Sequence, residues 1–177
     1  MSGRALIVID VQNEYFPGGA WALPHAERAL PNILALMEKA RGRGDAVVVI
    51  QHVAPEGSPV FARGSPGVLL HGALPAGKGD PLFEKRHPSS FQGTGLGAFL
   101  TRQRIEALDL CGFMTQMCCD TTAREAYAAG FAVRMFSDAM AARDLVYEGQ
   151  TVPHEMVHRA SLATLARFAK VIPSKDA

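Results

Sequence analysis

Short, uniformly apolar runs alternate with stretches of helical periodicity along this chain, and that alternation restricts the fold more than any other feature. Residues 5–11, 46–50 and 131–136 are apolar runs of strand length, and residues 81–85, 105–111 and Lys170–Ile172 are further short strands. Between them, residues 31–43 place Ile33, Leu34, Leu36 and Met37 on one helical face and stop at Gly42 and Gly44. Leu96–Arg102, residues 116–129 (ended by Gly130) and residues 151–168 complete the helices. Strands that are apolar on both sides belong in a parallel sheet covered by helices on both faces. The chain is therefore expected to be an α/β protein, a three-layer α-β-α sandwich with a mostly parallel central sheet, in one domain over residues 1–177.

Composition supports a full core and excludes several function classes. The 177 residues are 48% hydrophobic and 20% charged, with a formal net charge of +1. That balance offers no attraction for nucleic acid or an anionic membrane. No apolar run approaches the roughly 18 residues of a membrane span. The run 5–9 is too short for a secretory core and has no small-residue cleavage site behind it. The three cysteines are odd in number, and Cys118 and Cys119 are adjacent. A disulfide framework is not expected, and a reducing, cytoplasmic compartment is. Residues 53–80, rich in Gly and Pro, read as a long surface excursion of the functional kind.

In open parallel sheets, ligands bind beyond the carboxyl ends of the strands, near the switch in strand order. Asp10, Lys85 and the turn from Gly112 to Cys118 each lie at or just past such an end. A strand ending at residue 111 should turn at Gly112, with Thr115 as N-cap of the next helix and Cys118 in its first turn. Exposed N–H groups and the helix dipole there favour a thiolate and should lower the thiol pKa. Cys111, inside a strand, and Cys119, rotated by about 100° around the helix, fit the ordinary role of small buried hydrophobes. Alone, Asp10 could merely turn the chain and Lys85 could be a solvated side chain. Together the three make a nucleophile, a carboxylate to take and return its proton, and a cation between them.

The pattern Asp10-Val11-Gln12-Asn13, Lys85 ahead of Ser90-Phe91 and Thr94-x-Leu96, and Gly112-x-x-Thr115-x-x-Cys118-x-x-x-Thr122-Ala123 with Gly130-Phe131 resembles the isochorismatase-like cysteine hydrolases. That superfamily includes nicotinamidases and carbamoylsarcosine amidases, and the resemblance covers nearly the whole chain in order. It implies a Rossmann-like strand order 3-2-1-4-5-6 and a catalytic triad of Asp10, Lys85 and Cys118. It also implies a cis peptide between Phe113 and Met114, which would aim the Met114 and Cys118 N–H groups at an oxyanion. The expected reaction is cleavage of a C–N bond in a small amide-like or ureide substrate through a thioester, without a cofactor. Tyr15 and Trp21 are candidates for the substrate-pocket wall, or for ordinary packing. The resemblance further implies a homo-oligomer, a dimer or tetramer.

Departures and rivals are equally visible. Nicotinamidases carry a metal-binding Asp-x-His pair after the second strand, where this chain has Gln51-His52-Val53. No metal is expected, and nicotinamide is disfavoured as substrate. Isochorismatases proper cleave a vinyl ether without a cysteine nucleophile, and that reaction stays open. His154-Glu155-Met156-Val157-His158 matches the HExxH zinc pattern, but no third ligand follows along the helix, so the pair reads as a polar helix face. His87 could pair with a cysteine, yet Pro88 follows at once and places it at the border of the site. No Gly-x-Gly-x-x-Gly follows a strand, which removes a nucleotide-binding module. A non-catalytic binding subunit is the remaining alternative.

Overall fold

The computed structural model describes residues 3–75 and 79–177. A six-stranded, all-parallel sheet forms the middle layer, built from β1 (Gly3–Ile9), β2 (Ala46–His52), β3 (Leu82–Lys85), β4 (Ile105–Phe113), β5 (Ala132–Ala141) and β8 (Lys170–Ile172). Its spatial order is β3-β2-β1-β4-β5-β8, so counting only the strands of this sheet it is the expected 3-2-1-4-5-6. The inner strands alternate between two cores. Leu6, Val8, Val47 and Val49 pack beneath α1 (Ala26–Gly42), whereas Ala5, Ile7, Ile9, Val48 and Ile50 face the opposite core. That second core is closed by Leu96 and Leu100 of α2 (Leu96–Arg102), Ala123 and Ala126 of α3 (Asp120–Ala128) and Leu165 of α4 (His154–Leu165).

Several boundaries move from their expected places, three of them for a clear local reason. The first helix begins at Ala26, before Pro31, because Ala26 and Ala29 continue the buried stripe of Ile33, Leu36, Met37 and Ala40. Pro31 is exposed, so the carbonyl its ring leaves without a partner can turn to water. The strand expected to close at residue 111 runs through Gly112 to Phe113 and stays paired to β1 there. The region read as a helix from 151 holds instead an antiparallel hairpin, β6 (Leu145–Tyr147) and β7 (Gln150–Val152), before α4 starts after Pro153. Glu148 and Gly149 both take positive φ (50° and 74°), the two-residue turn that suits the twist of a hairpin.

The long excursion is only partly a surface feature. Phe61, Val68 and Leu74 reach into the first core. Its backbone folds back over the segment that follows β1, with Asn13 N donating to Leu69 O, Glu14 N to Gly67 O and His71 N to Val11 O, each at 2.9 Å. Residues 76–78 of that excursion lie outside the described residues. No helix among the described residues is long and apolar enough to cross a membrane.

Candidate active site

Four strand ends meet at the carboxyl edge of the sheet. Register sets Ile9 opposite both Ile50 and Gly112, and His52 opposite Lys85. Across the edge the order is therefore Lys85, His52, Asp10 and the turn that leads to Cys118. Asp10 and that turn flank the place where strand order reverses, the crevice that parallel sheets use for ligands.

Lys85 is the hub of this edge. Its side chain and that of Asp10 are fully buried, and Nζ stands 2.7 Å from Asp10 Oδ2. Nζ also lies 3.1 Å from Cys118 Sγ, 3.1 Å from His52 Nδ1 and 3.1 Å from the His87 carbonyl oxygen. Burial pulls the lysine pKa down, but the Asp10 carboxylate and the Cys118 sulfur outweigh it and the net shift is upward. The group is an ammonium, and burial with the same ammonium lowers the His52 pKa, so that ring is neutral and accepts.

This arrangement does not suit a metal. An Asp10 oxygen, a His52 nitrogen and Cys118 Sγ lie within 4.8 Å of one another, a donor set that could hold an ion. The Lys85 ammonium contacts all three, so the positive charge a metal would bring is already in place. Gln51, where nicotinamidases carry an acid, donates its amide to the Val68 carbonyl at 2.8 Å.

The loop bearing the thiol differs from its sequence expectation. Thr115 is not an N-cap: the cap residue is Met114, in extended conformation, and Thr115–Cys119 form a π-helical turn before α3. The Thr115 hydroxyl turns instead to His158 Nδ1 at 2.9 Å. The Phe113–Met114 peptide is cis. Burial pushes the Cys118 thiol pKa up, Asp10 adds to this, and Lys85 offsets only part of it. The expected lowering by the helix start is thus overturned by desolvation, and the resting group is a thiol. Asp10 Oδ1 is buried and takes no hydrogen bond among the described residues, which leaves it as an acceptor for that proton. Cys111 and Cys119 are buried in the two cores, and burial raises both thiols.

A cavity of about 190 Å³ opens on Cys118. Tyr15 and Trp21 line it, as do Phe61, Val60, Met114 and Met117. Its walls are held by long-range polar contacts. Buried Glu14 accepts from Ala20 N at 2.7 Å and Phe61 N at 3.1 Å, and Gln12 bridges the His52 backbone and Val68 O. Ser90 and Thr122, both members of the sequence pattern, hydrogen-bond through their hydroxyls at 2.9 Å and tie the Lys85 loop to α3. His87 contributes its carbonyl to the site rather than its ring.

His52 was not singled out as a site residue by sequence, although its place at the last position of β2 was the available signal. The roles of Gln12, Glu14 and Phe61 had no local signal, because each depends on contacts across tens of residues. The HExxH histidines do not act as a pair: His158 is committed to Thr115 and to the Ser137 backbone, and His154 Nδ1 binds Asp144 Oδ1 at 2.8 Å.

Comparison with known proteins identifies the family of the fold that carries this site. Residues 4–176 match the family model for the isochorismatase domain. The isochorismatase family protein YddQ of Bacillus subtilis is 36% identical over 175 residues, covering 98% of this chain and 97% of the relative. Nicotinamidase 3 of Arabidopsis thaliana is 30% identical over 175 residues, with 92% and 80% covered. The crystal structure of an isochorismatase-family protein from Burkholderia xenovorans LB400 superimposes with a TM-score of 0.94 at 38% identity, over 99% of this chain and 86% of that one.

Proposed function

This chain belongs to the isochorismatase family of hydrolases, and from that premise we propose that it cleaves the C–N bond of a small amide-like substrate, with Cys118 as nucleophile. The observation that carries the proposal is the contact of one buried ammonium, Lys85, with both the Asp10 carboxylate and the Cys118 sulfur.

Asp10 takes the Cys118 proton as the sulfur attacks the carbonyl carbon, and Lys85 keeps the resulting thiolate from being an isolated buried charge. The Met114 and Cys118 backbone N–H groups receive the oxyanion, an interaction whose single donors are worth about 10²–10³ in rate in comparable hydrolases. Collapse breaks the C–N bond, the Asp10 proton passes to the leaving nitrogen, and ammonia or an amine departs from a thioester. Asp10 then accepts a proton from water, the hydroxide attacks the thioester carbon, and the expelled sulfur regains the proton as the acid product leaves.

The cavity of about 190 Å³ is smaller than the roughly 300 Å³ at which drug-sized pockets begin, and its lining is mainly aromatic and aliphatic. It suits a compact, uncharged substrate with an apolar group beside the scissile bond. The three cysteines are buried and unpaired, consistent with a reducing compartment such as the cytoplasm.

A panel of small amides and ureides assayed for ammonia or amine release, beside Cys118→Ala, tests the proposal. The expected result is turnover by the parent, none by the variant, and a thioester mass adduct on Cys118 after acid quench. Ammonia or amine release that persists in Cys118→Ala would exclude the thioester route, whereas a parent inactive on every amide that cleaves a vinyl ether would favour the vinyl-ether reaction, which needs no thiol.

A further inference from the structure

A second cluster of ligating side chains lies where the start of α1 meets the start of α4. His25 is the residue just before α1, and His154 and Glu155 open α4. One ligand atom from each falls within 4.8 Å of the other two. The His25 and His154 rings meet edge to face, with centroids 4.8 Å apart. Beside them is a cavity of about 350 Å³.

His154 is the informative member. Its Nδ1 is bound to the Asp144 carboxylate at 2.8 Å, and its backbone N–H reaches the same oxygen at 2.7 Å. Its Nε2 is buried and has no hydrogen-bond partner among the described residues. A carboxylate on one ring nitrogen with the other nitrogen left open is the arrangement that orients metal-binding histidines and raises their basicity. A buried ring nitrogen without a partner otherwise calls for an explanation.

We propose that His25, His154 and Glu155 form a binding site for a divalent transition metal, Zn²⁺ in the first instance, with Asp144 as the outer partner of His154. Two imidazoles and one carboxylate are a complete three-ligand set for zinc, with water as the fourth ligand in the adjoining cavity. Zinc–nitrogen bonds of about 2.0–2.1 Å require the three atoms to draw closer, and the partly exposed His25 and exposed Glu155 have room to do so. The third ligand missing from the HExxH pattern is thus supplied from before α1, and His158, committed elsewhere, is not used. This departs from the sequence expectation of no metal. The ion would sit apart from the triad and act on stability, by pinning α4 to α1. Its link to the thiol turn is indirect, through His158 and Thr115.

The test is Zn²⁺ titration by calorimetry on the reduced full chain, with Co²⁺ absorption as the second readout. The expected results are one ion per chain, at least a tenfold loss of affinity in both His25→Ala and Glu155→Gln, and a Tm raised by about 5 °C or more at saturating Zn²⁺. Co²⁺ should give visible d–d bands without a thiolate charge-transfer band. His25→Ala without added metal should retain parental turnover, which separates a folding defect from ligand loss. Absence of binding at millimolar Zn²⁺, affinity unchanged in both variants, or a thiolate band that vanishes in Cys118→Ala would each overturn the site.

Discussion

Gly112 of β4 lies against Ile9 of β1 so closely that a β-carbon on it would stand 2.0 Å from the Ile9 carbonyl oxygen. Its φ of +114° is also one that side-chain-bearing residues rarely adopt. Ile9 immediately precedes Asp10, and Gly112 immediately precedes the Phe113–Met114 turn, so this contact sets the spacing between Asp10 and Cys118. Gly112→Ala should cost about 3–5 kcal/mol of stability and lower kcat by more than tenfold. Urea denaturation and steady-state kinetics on the same preparation check both, and a variant with parental kcat would show that the spacing is set elsewhere.

Lys85→Met should be both inactive and unstable. Removing the ammonium leaves the Asp10 carboxylate buried without its ion-pair partner, a loss of about 3–5 kcal/mol in comparable pairs. Asp10→Asn combined with Lys85→Met removes the uncompensated charge and should recover much of the stability while staying inactive. A double-mutant cycle in urea quantifies the coupling; additive effects would mean that the pair is not coupled.

Acid should weaken the fold through two half-buried histidines. Burial lowers the folded-state pKa of both His52 and His158. With an unfolded value near 6.5, the unfolded chain binds more protons than the native one once pH falls to that range. Stability is therefore retained above about pH 6.5 and declines on acidification until the depressed native pKa values are reached. His52→Gln should flatten part of this slope, readable as the urea midpoint between pH 7.5 and 5.5. An identical slope in the variant would assign the effect to other groups.

Chelation should separate the two clusters. Lys85 already supplies the cation at the triad, so prolonged EDTA treatment is expected to leave kcat within about twofold. Zinc added back afterwards should raise Tm without raising kcat. Turnover lost in chelator and restored by zinc would place a metal in the chemistry.

The layers, and the convergence of Asp10, Lys85 and Cys118 at one sheet edge, were legible in the sequence from strand-length apolar runs, glycine stops and residues just past strand ends, although neither Asp10 nor Lys85 stood out alone. What escaped depended on distance or on desolvation. Nothing near Cys118 signals that it is only 5% exposed, yet that burial reverses the expected direction of its pKa. Gln12 and Glu14 look like turn residues until residues 53–74 are folded over them. The Glu148-Gly149 hairpin does carry a readable local sign, a two-residue turn between β-formers that ends before Pro153.

The way residues 53–74 are fastened bears on how the cavity can be altered. They are joined to the rest of the molecule by backbone bonds to 11–14, by Gln12 and Glu14, and by Phe61, Val68 and Leu74 in the core, while Asp10, Lys85 and Cys118 hang from separate strand ends. The part of the cavity wall made by Val60 and Phe61 is thereby carried on a different piece of chain from the buried ion pair. Substitutions at Val60 or Phe61 can therefore reshape the cavity wall without moving the strand ends that carry Asp10, Lys85 and Cys118.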